Sequence, residues 1–243
     1  MRVASYNIRK ARGMDQKRSP ERILEVVSRL GADVVVLQEA DLRLGPRPTA
    51  LPRDLIERET DYHVAPLAEN DVSLGWHGNA MLVRKGYELG EIGRYDLPGL
   101  EPRGAVSALM TGGGEPLRIV GVHLGLLRPS RRLQLEMIRD VLDDDHTHRT
   151  VIAGDFNEWS ARHAHGPLEP SFHMVPEQRS FPATYPVAAL DRIAHGPGLG
   201  LVDSGVENGP ESRAASDHLP IWAEFEARPD EAHRATAPLR QPS

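Results

Sequence analysis

Polar side chains that could bind a metal ion or a phosphate follow several short apolar segments of this sequence. The segments VASYN, VVVLQE and IVGVH each end in such a residue, VIAGDFN carries two, and SDH precedes the last apolar segment. Buried carboxylates and imidazoles need partners, so a fold that brings many of them to one edge usually holds a cation or a charged substrate. The residues concerned are Asn7, Glu39, His123, Asp155, Asn157, Asp217 and His218.

Each of these residues also has an ordinary structural explanation. Gly, Asp and Asn favour turns, and GDFN at Asp155 and Asn157 is typical of a turn at a strand end. A single His at a strand end is more often structural than catalytic, and Ser-Asp is a common helix cap. Taken together, however, the seven residues favour a site that binds a metal ion or a phosphate. Because the set offers oxygen and imidazole donors without sulfur, it suits Mg²⁺, with Mn²⁺ as a substitute, better than zinc or copper.

The composition excludes several classes of function. The chain of 243 residues has no cysteine, which excludes disulfides, thiolate zinc sites and cysteine nucleophiles. Its net charge of −6 argues against a protein that binds nucleic acid through a broad basic surface. Two basic stretches, residues 9 to 18 and 128 to 132, follow Asn7 and His123 and would attract an anionic phosphoester. The alternative is a pair of solvated basic loops.

The elements that would position these residues are mainly strands. SPERILEVVSRLG is predicted to form a helix, since Ser19 can cap it, Pro20 suits its first turn and Gly31 can end it. A second helix is predicted from Ser130, with an apolar face of Leu133, Met137, Ile138, Val141 and Leu142. Eight apolar segments read as strands: RVASYNI, DVVVLQE, NAMLVRK, AVSALM, LRIVGVHLG, TVIAGDF, LDRIAH and PIWAEFEA. Their hairpin order indicates an α/β fold of mixed sheets packed on each other with helices outside.

One domain is predicted over residues 1–227, without an internal repeat or a central linker. Residues 228–243 lose all periodicity and are rich in Pro, Ala and charge, which predicts a disordered C-terminal tail. No apolar run is long enough to span a bilayer, and MRVASYNIRK lacks the apolar region of a signal peptide. We therefore expect a cytoplasmic monomer without a transmembrane segment.

The ordered series SYNIR, LQEAD, GVHLG, AGDFNEW, LDRI and SDHLPI resembles the endonuclease/exonuclease/phosphatase superfamily of metal-dependent phosphoesterases, which is related to deoxyribonuclease I. The resemblance runs from residue 2 to about residue 226. HGNAMLVRK, PRGAVSALM, VHLGLLRPSRRLQLEM and TYPVAALDRI are similar to the compact bacterial branch that contains the YbhP proteins. The resemblance implies a four-layer α/β sandwich, with two mixed β-sheets packed face to face, helices on the outside and the active site at one edge.

The resemblance also implies a role for each residue. Glu39 would be the main metal carboxylate, with Asn7 and Asp217 close by, and the metal would stabilise the charge that grows on a phosphate oxygen. His123 and Asn157 would hold the phosphoryl oxygens.

The remaining roles concern water, the leaving group and the rim of the site. Asp155 would orient or deprotonate the attacking water, and His218 matches an imidazole beside the scissile phosphate. Asp191, in LDRI, matches the carboxylate that fixes the tautomer of this imidazole. Arg103, in EPRGAV, reaches the phosphate or forms a surface salt bridge. Asn79, in HGNAML, donates a hydrogen bond at the edge of the site or is a turn residue.

The function implied is a metal-dependent phosphoesterase that hydrolyses a phosphodiester or phosphomonoester by in-line attack of an activated water. The alternative is a DNA endonuclease or exonuclease of the repair type. DRI stands where those nucleases have DYI, and their longer loops are missing, which speaks against cleavage of duplex DNA. A catalytically idle binding module is disfavoured because every expected position holds its expected residue type. Phospholipid headgroups, nucleotides, inositol phosphates and nucleic acid remain open as substrates, and Trp159 either packs under its loop or walls the pocket.

Overall fold

The computed structural model of the protein describes residues 1–43, 45–112, 114–142, 147–160 and 166–228. Two mixed six-stranded sheets dominate this part of the chain. Their strands are β1 (Arg2–Asn7), β2 (Val34–Gln38), β3 (Tyr62–Val64), β4 (Ala80–Arg84), β5 (Glu88–Leu97), β6 (Arg103–Thr111), β7 (Leu117–His123), β8 (Thr150–Asp155), β9 (His173–Met174), β10 (Asp191–His195), β11 (Leu199–Val206) and β12 (Ile221–Ala227).

Each sheet contains one parallel pair of strands near its centre. The first sheet has the order β11-β12-β1-β2-β4-β3, and the second has the order β5-β6-β7-β8-β10-β9. The parallel pairs are β1 with β2 and β7 with β8, while their other neighbours are antiparallel. Parallel strands end at the same edge of a sheet, so the residues that follow each pair are brought together.

Helices cover the outer face of each sheet. They are α1 (Pro20–Leu30), α2 (Arg53–Glu59), α3 (Arg128–Val141) and α4 (Pro210–Ala215). One apolar cluster joins the first sheet to α1 and α2, a second joins the inner faces of the two sheets, and a third joins the second sheet to α3. The molecule is therefore a four-layer α/β sandwich, as predicted.

The first helix begins and ends at the predicted residues. The Ser19 hydroxyl accepts a hydrogen bond from the backbone N–H of Arg22, Pro20 lies in the first turn, and Gly31 ends the helix with a φ of 56°. A left-handed residue at this position is inexpensive only for glycine, which is why the helix stops there.

The prediction for α3 was wrong in its start and in two of the five residues of its apolar face, while Met137, Ile138 and Leu142 pack in the core as predicted. The helix begins two residues before Ser130, and Leu133 and Val141 are exposed. Its buried face includes the polar residues Arg131 and Gln134. Gln134 accepts a hydrogen bond from the backbone N–H of Gly125 at 2.8 Å, so polar groups fix this helix against the loop after β7.

The predicted C-terminal tail lies almost wholly outside the described residues, and its start at residue 228 remains a prediction. Arg228 itself donates a backbone hydrogen bond to the carbonyl of Gly198 at 2.9 Å. Among the helices of the described part of the chain, none has the length and apolar character needed to cross a membrane.

Candidate active site

The polar strand ends of both sheets meet at one edge of the sandwich. Asn7 ends β1, and Asp155 ends β8 of the other sheet. The Asn7 side-chain amide donates a hydrogen bond to Asp155 Oδ2 at 3.0 Å across the gap between the sheets. His123 and Asp191 are both register partners of Asp155 on the neighbouring strands β7 and β10. The sequence prediction that these residues converge is consistent with this placement.

Asp155 lies at the centre of the cluster. The carboxylate is 2% exposed, and its Oδ1 accepts the backbone N–H of Asn157 at 2.9 Å. The Nε2 atoms of His123 and His218 lie 3.6 and 3.8 Å from Asp155 Oδ2. Burial, and next the negative charge of Asp191, raise the pKa of Asp155 to about 6. The carboxylate is thus ionised at neutral pH and remains a stronger proton acceptor than an exposed one.

His218 is held by the second buried carboxylate. Its Nδ1 donates to Asp191 Oδ2 at 2.8 Å, and the Ser180 hydroxyl donates to the same oxygen at 2.5 Å. Burial disfavours the charged ring, but Asp191 and then Asp155 outweigh it and raise the pKa of His218 to about 10. His218 is therefore an imidazolium at neutral pH, with its Nε2 directed toward Asp155.

The ring of His123, unlike that of His218, is uncharged at neutral pH. Complete burial, and next the positive charges of Arg103 and His218, lower the pKa of His123 well below its ordinary value. One neutral and one charged imidazole thus flank a single carboxylate. Environments that push the pKa values of neighbouring groups apart are typical of acid–base sites.

Two carboxylates at the same edge are open to solvent. The side chains of Glu39 and Asp217 are 22% and 30% exposed, so an ion can reach them, whereas Asp155 is 2% exposed. Lys10 Nζ forms an ion pair with Glu39 Oε2, and Arg9 Nε lies 3.2 Å from Asp217 Oδ2. Side-chain cations thus occupy carboxylates that would bind a metal. This donor set of hard oxygens fits Mg²⁺ or Mn²⁺.

A left-handed turn positions the side chains of Arg9 and Lys10 beside these carboxylates. Arg9, Lys10 and Ala11 have φ values of 47°, 55° and 58°. Non-glycine residues in this region cost about 1–3 kcal/mol each, and such strain clusters at functional sites. Backbone hydrogen bonds from Lys10 to Glu39 and from Ala11 to Ile8, at 3.1 and 2.8 Å, hold the turn.

A second group of donors also has metal-ligand spacing. One ligand atom each from Asp155, Asp191 and His218 lies within 4.8 Å of the others. The group could hold an ion. In the structure Nδ1 of His218 is engaged by Asp191, which instead favours a proton-carrying pair.

Asn157, at the end of the GDFN turn, is predicted to hold a phosphoryl oxygen. It has a φ of 51°, and its side-chain amide donates to the carbonyl of Leu124 at 2.9 Å. The predicted site residue Asn157 therefore lies within the predicted turn, and its side chain ties the loop after β8 to the loop after β7.

Arg103 and Asn79 occupy different surroundings. Arg103 is 8% exposed, forms an ion pair with Glu101 at 2.7 Å and lines a cavity of about 270 Å³ together with Glu39 and His123. Its salt bridge therefore lies at the rim of that cavity, with the Arg103 side chain buried and the Glu101 side chain 32% exposed. Asn79 is fully buried and donates to the carbonyl of Gly104 at 2.8 Å, so it links the two sheets and lies outside the described lining of that cavity.

Two residues near His218 were not singled out by their sequence pattern. Ser180 donates a hydrogen bond to Asp191, and the ring of Phe181 lies 4.9 Å from that of His218. Lys10, which pairs with Glu39, belongs to the basic stretch that the sequence analysis identified. Trp159 is 67% exposed, and its ring meets the edge of Phe181 at 6.0 Å. Trp159 is therefore not packed under its loop, and its ring contacts Phe181, whose ring in turn lies next to that of His218.

A family model described as "Endonuclease/Exonuclease/phosphatase family" matches residues 4–218. The chain is 31% identical over 170 residues to YbhP of Escherichia coli (strain K12), in a match that covers 62% of this chain and 63% of YbhP. The chain therefore spans less than two thirds of this curated relative.

Two solved structures show the same fold. The Bacteroides thetaiotaomicron VPI-5482 mannosyl-6-phosphatase Bt3783 has a TM-score of 0.74 at 18% identity, over 93% of this chain and 99% of that one. D. rerio TDP2 complexed with single strand DNA product has a TM-score of 0.70 at 19% identity, over 93% and 99%. Since the family model covers most of the sequence and its fold recurs in these structures, the chain belongs to the endonuclease/exonuclease/phosphatase family.

Proposed function

We propose that this protein is a divalent-metal-dependent phosphoesterase that hydrolyses a phosphomonoester or phosphodiester by direct attack of water. The observation that carries the proposal is the buried group of Asp155, Asp191 and His218 beside the exposed carboxylates of Glu39 and Asp217. A proton acceptor, a fixed imidazolium and an oxygen donor set for a cation thus lie at one edge of the sandwich.

The metal would be held by Glu39 and Asp217, with the side-chain oxygen of Asn7 close by. Mg²⁺ held there, or Mn²⁺ in its place, would supply positive charge to stabilise the phosphate oxygens in the transition state. Lys10 and Arg9, which pair with these carboxylates, would then be released toward the phosphate.

The protein's own residues would carry the proton and orient the phosphate. Asp155, with its pKa of about 6, accepts a proton from the attacking water. His218 donates a hydrogen bond from Nε2 to a phosphate oxygen, and Asp191 keeps its ring charged and oriented. Asn157 and the neutral His123 flank the phosphoryl group, and no covalent enzyme intermediate is needed.

The substrate is an anionic phosphoester small enough, at its reacting end, for a cavity of about 270 Å³. The two solved relatives differ: one is named mannosyl-6-phosphatase, and the other was crystallised with single strand DNA product. Nuclease activity of the repair type is therefore the alternative within the same chemistry.

The test is hydrolysis of bis-p-nitrophenyl phosphate by purified variants in Mg²⁺. We expect Glu39→Gln, Asp155→Asn and His218→Ala each to lower turnover by at least roughly a hundredfold, the scale of losing a metal, acid–base or electrostatic group. Asp203→Asn, a matched change on an exposed strand residue, should have no effect. Near-normal turnover in the three site variants would refute the proposal.

A panel of natural phosphoesters then separates the substrate classes. Sugar phosphates, inositol phosphates, lysophospholipids, and abasic and nicked DNA are compared at equal concentration with the wild-type protein. Preference for DNA by at least tenfold in kcat/KM would establish the nuclease alternative.

A further inference from the structure

Most of the exposed large apolar side chains of this protein lie around the candidate active site. The described residues contain ten such side chains, and six of them belong to loops at the strand ends of the active-site edge. These six are between 50% and 86% exposed. They are Leu100, Leu126, Leu127, Trp159, Tyr185 and Val187. Apolar side chains gathered on one part of a surface mark a site that binds an apolar partner, whereas scattered ones need no explanation.

The loops that carry the leucines contact each other and the loop after β8. Leu100 lies in the loop between β5 and β6, next to Glu101. Glu101 Oε1 accepts the backbone N–H of Leu126 at 3.2 Å, which joins this loop to the one after β7. Arg131 donates to the carbonyl of Leu126 at 2.6 Å and to the carboxylate of Glu158, after β8, at 2.8 Å. Three of the loops are therefore held side by side.

The fourth loop, before β10, is joined to them through aromatic rings. Trp159 follows Glu158 in the chain, and its ring lies 6.0 Å from that of Phe181. The backbone N–H of Val187 donates to the carbonyl of Phe181 at 2.9 Å, and Tyr185 lies in the same turn. The six exposed side chains thus belong to one continuous row of loops along the active-site edge, which we call the apolar rim.

The apolar rim borders the catalytic groups at two places. Glu101 forms an ion pair with Arg103, and both line the cavity of about 270 Å³ that also contains His123. At the other end of the rim, the ring of Phe181 lies 4.9 Å from that of His218. A surface that contacts the rim is therefore presented to the active site.

Exposed arginines accompany these apolar side chains. Arg128 directly follows Leu127, and Arg43 lines the active-site cavity. Both side chains are exposed, and neither forms an ion pair or a hydrogen bond with the described part of the chain. Exposed leucine and tryptophan beside arginine are typical of segments that lie in the interface of an anionic membrane. The apolar groups enter the boundary of the acyl chains, and the guanidinium groups attract the anionic headgroups.

A membrane fits this rim better than a nucleic acid or a protein does. Single-stranded nucleic acid is bound by stacking its bases on aromatic rings, but four of the six side chains are aliphatic and offer no ring. A protein seated on the rim would cover the entrance of the cavity. A lipid surface would instead bring phosphoester headgroups to it.

We propose that the apolar rim binds the surface of an anionic phospholipid membrane, with the active-site cavity facing the headgroups. The substrate is then a phosphoester of a phospholipid headgroup. This substrate assignment rests on the proposed function, whereas membrane binding does not.

Binding is measured by sedimentation with vesicles of phosphatidylglycerol and phosphatidylcholine, in EDTA so that no substrate is turned over. We expect Leu100→Ser and Leu126→Ser each to raise the lipid concentration at half-binding about tenfold, the scale of withdrawing one leucine side chain from an apolar environment. Arg128→Gln should raise it about fivefold, the scale of one cation at an anionic membrane surface. Val202→Ser, at a similarly exposed valine of the outer strand β11, is the matched control and should leave it unchanged.

Two results would overturn membrane binding. One is the absence of sedimentation with the vesicles, and the other is an equal effect of Leu100→Ser and Val202→Ser. A single-stranded oligonucleotide is tested in parallel by fluorescence anisotropy. If it binds the wild-type protein and both leucine variants lose that binding while vesicles are not bound, the rim is a nucleic-acid site and the proposal is wrong.

Kinetics tests the substrate assignment separately. With Mg²⁺, we expect Leu100→Ser to lower the rate on phospholipid vesicles about tenfold at limiting lipid and to leave the rate on soluble bis-p-nitrophenyl phosphate unchanged. A wild-type protein that hydrolyses bis-p-nitrophenyl phosphate but no phospholipid would overturn the assignment while the proposed function stands. If it hydrolyses no phosphoester, the proposed function fails, and vesicle sedimentation alone decides the role of the rim.

Discussion

The charge of His218 should depend on Asp191, and this dependence can be measured without a substrate. Asp191 Oδ2 accepts a hydrogen bond from His218 Nδ1 at 2.8 Å, and both side chains are buried. Replacing Asp191 by asparagine keeps the size of the side chain but removes its negative charge. Burial of the ring lowers the pKa of His218, and in the variant fewer negative charges offset this effect.

The expected effect is large. The rise of the His218 pKa from 6.5 to about 10 corresponds to roughly 5 kcal/mol at about 1.4 kcal/mol per pH unit. One opposite charge in direct contact shifts a pKa by about one to three units. Since Asp191 supplies both a charge and a hydrogen bond, we expect Asp191→Asn to lower the pKa of His218 by about two to three units.

The assay is a pH titration of the His218 ring signals by NMR, with chelator present so that the protein is metal-free. The wild-type ring should stay protonated beyond pH 8, and the Asp191→Asn ring should titrate between about pH 7 and 8. Ser180→Ala removes the hydroxyl that also donates to Asp191 but leaves the carboxylate charge, so it serves as the control. A wild-type ring that titrates near 6.5, or an unchanged value in Asp191→Asn, would refute this reasoning.

The same pair predicts a pH dependence of stability. Because the pKa of His218 is higher in the folded protein than in the unfolded chain, the charged ring stabilises the fold fully below pH 6.5. This contribution is lost as the pH rises from 6.5 through about 10. Urea unfolding should therefore show that the stability difference between wild type and Asp191→Asn shrinks over that range.

Two further predictions concern buried charges outside the central cluster. Arg131→Met should lower the free energy of unfolding in urea by about 1–3 kcal/mol, because it removes the charge-assisted hydrogen bonds from Arg131 to Glu158 and to the carbonyl of Leu126; an unchanged free energy of unfolding would contradict this. Burial lowers the pKa of His195, so the unfolded chain binds more protons and stability falls as the pH drops below 6.5. His195→Gln should reduce that fall by at most about 1.4 kcal/mol per pH unit, and an identical pH profile of wild type and variant would show that His195 titrates normally in the fold.

Much of the fold could be predicted from the sequence because its central strands are apolar throughout. All five residues of VVVLQ in β2 are buried, and such continuous runs stand out from their surroundings. The edge and outer strands β3, β5, β9 and β11 were missed. β5 alternates between exposed and half-buried residues and contains glycines, so its composition does not resemble that of a core strand.

The candidate site could be predicted as a set of residue types but not as a set of contacts. Glu39 was recognisable as a carboxylate after a strand and Asp217 as one just before the last strand, but their pairing with Lys10 and Arg9 depends on a left-handed turn of non-glycine residues. No local sequence signal specifies such a turn, because tertiary contacts hold it. The buried polar face of α3 was missed for a related reason. Arg131 and Gln134 satisfy loop carbonyls and amides, and helical periodicity counts only apolar residues.

The central claim is that Asp155 acts in a metal-dependent phosphoesterase. The most direct measurement is the rate of bis-p-nitrophenyl phosphate hydrolysis by wild type and Asp155→Asn, first in EDTA and then after Mg²⁺ is restored. We predict that the wild-type protein is inactive in EDTA and regains activity with Mg²⁺, while Asp155→Asn stays at least roughly a hundredfold slower than the wild type after Mg²⁺ is restored. Hydrolysis that continues in EDTA, or an Asp155→Asn variant that recovers the wild-type rate, would contradict the account.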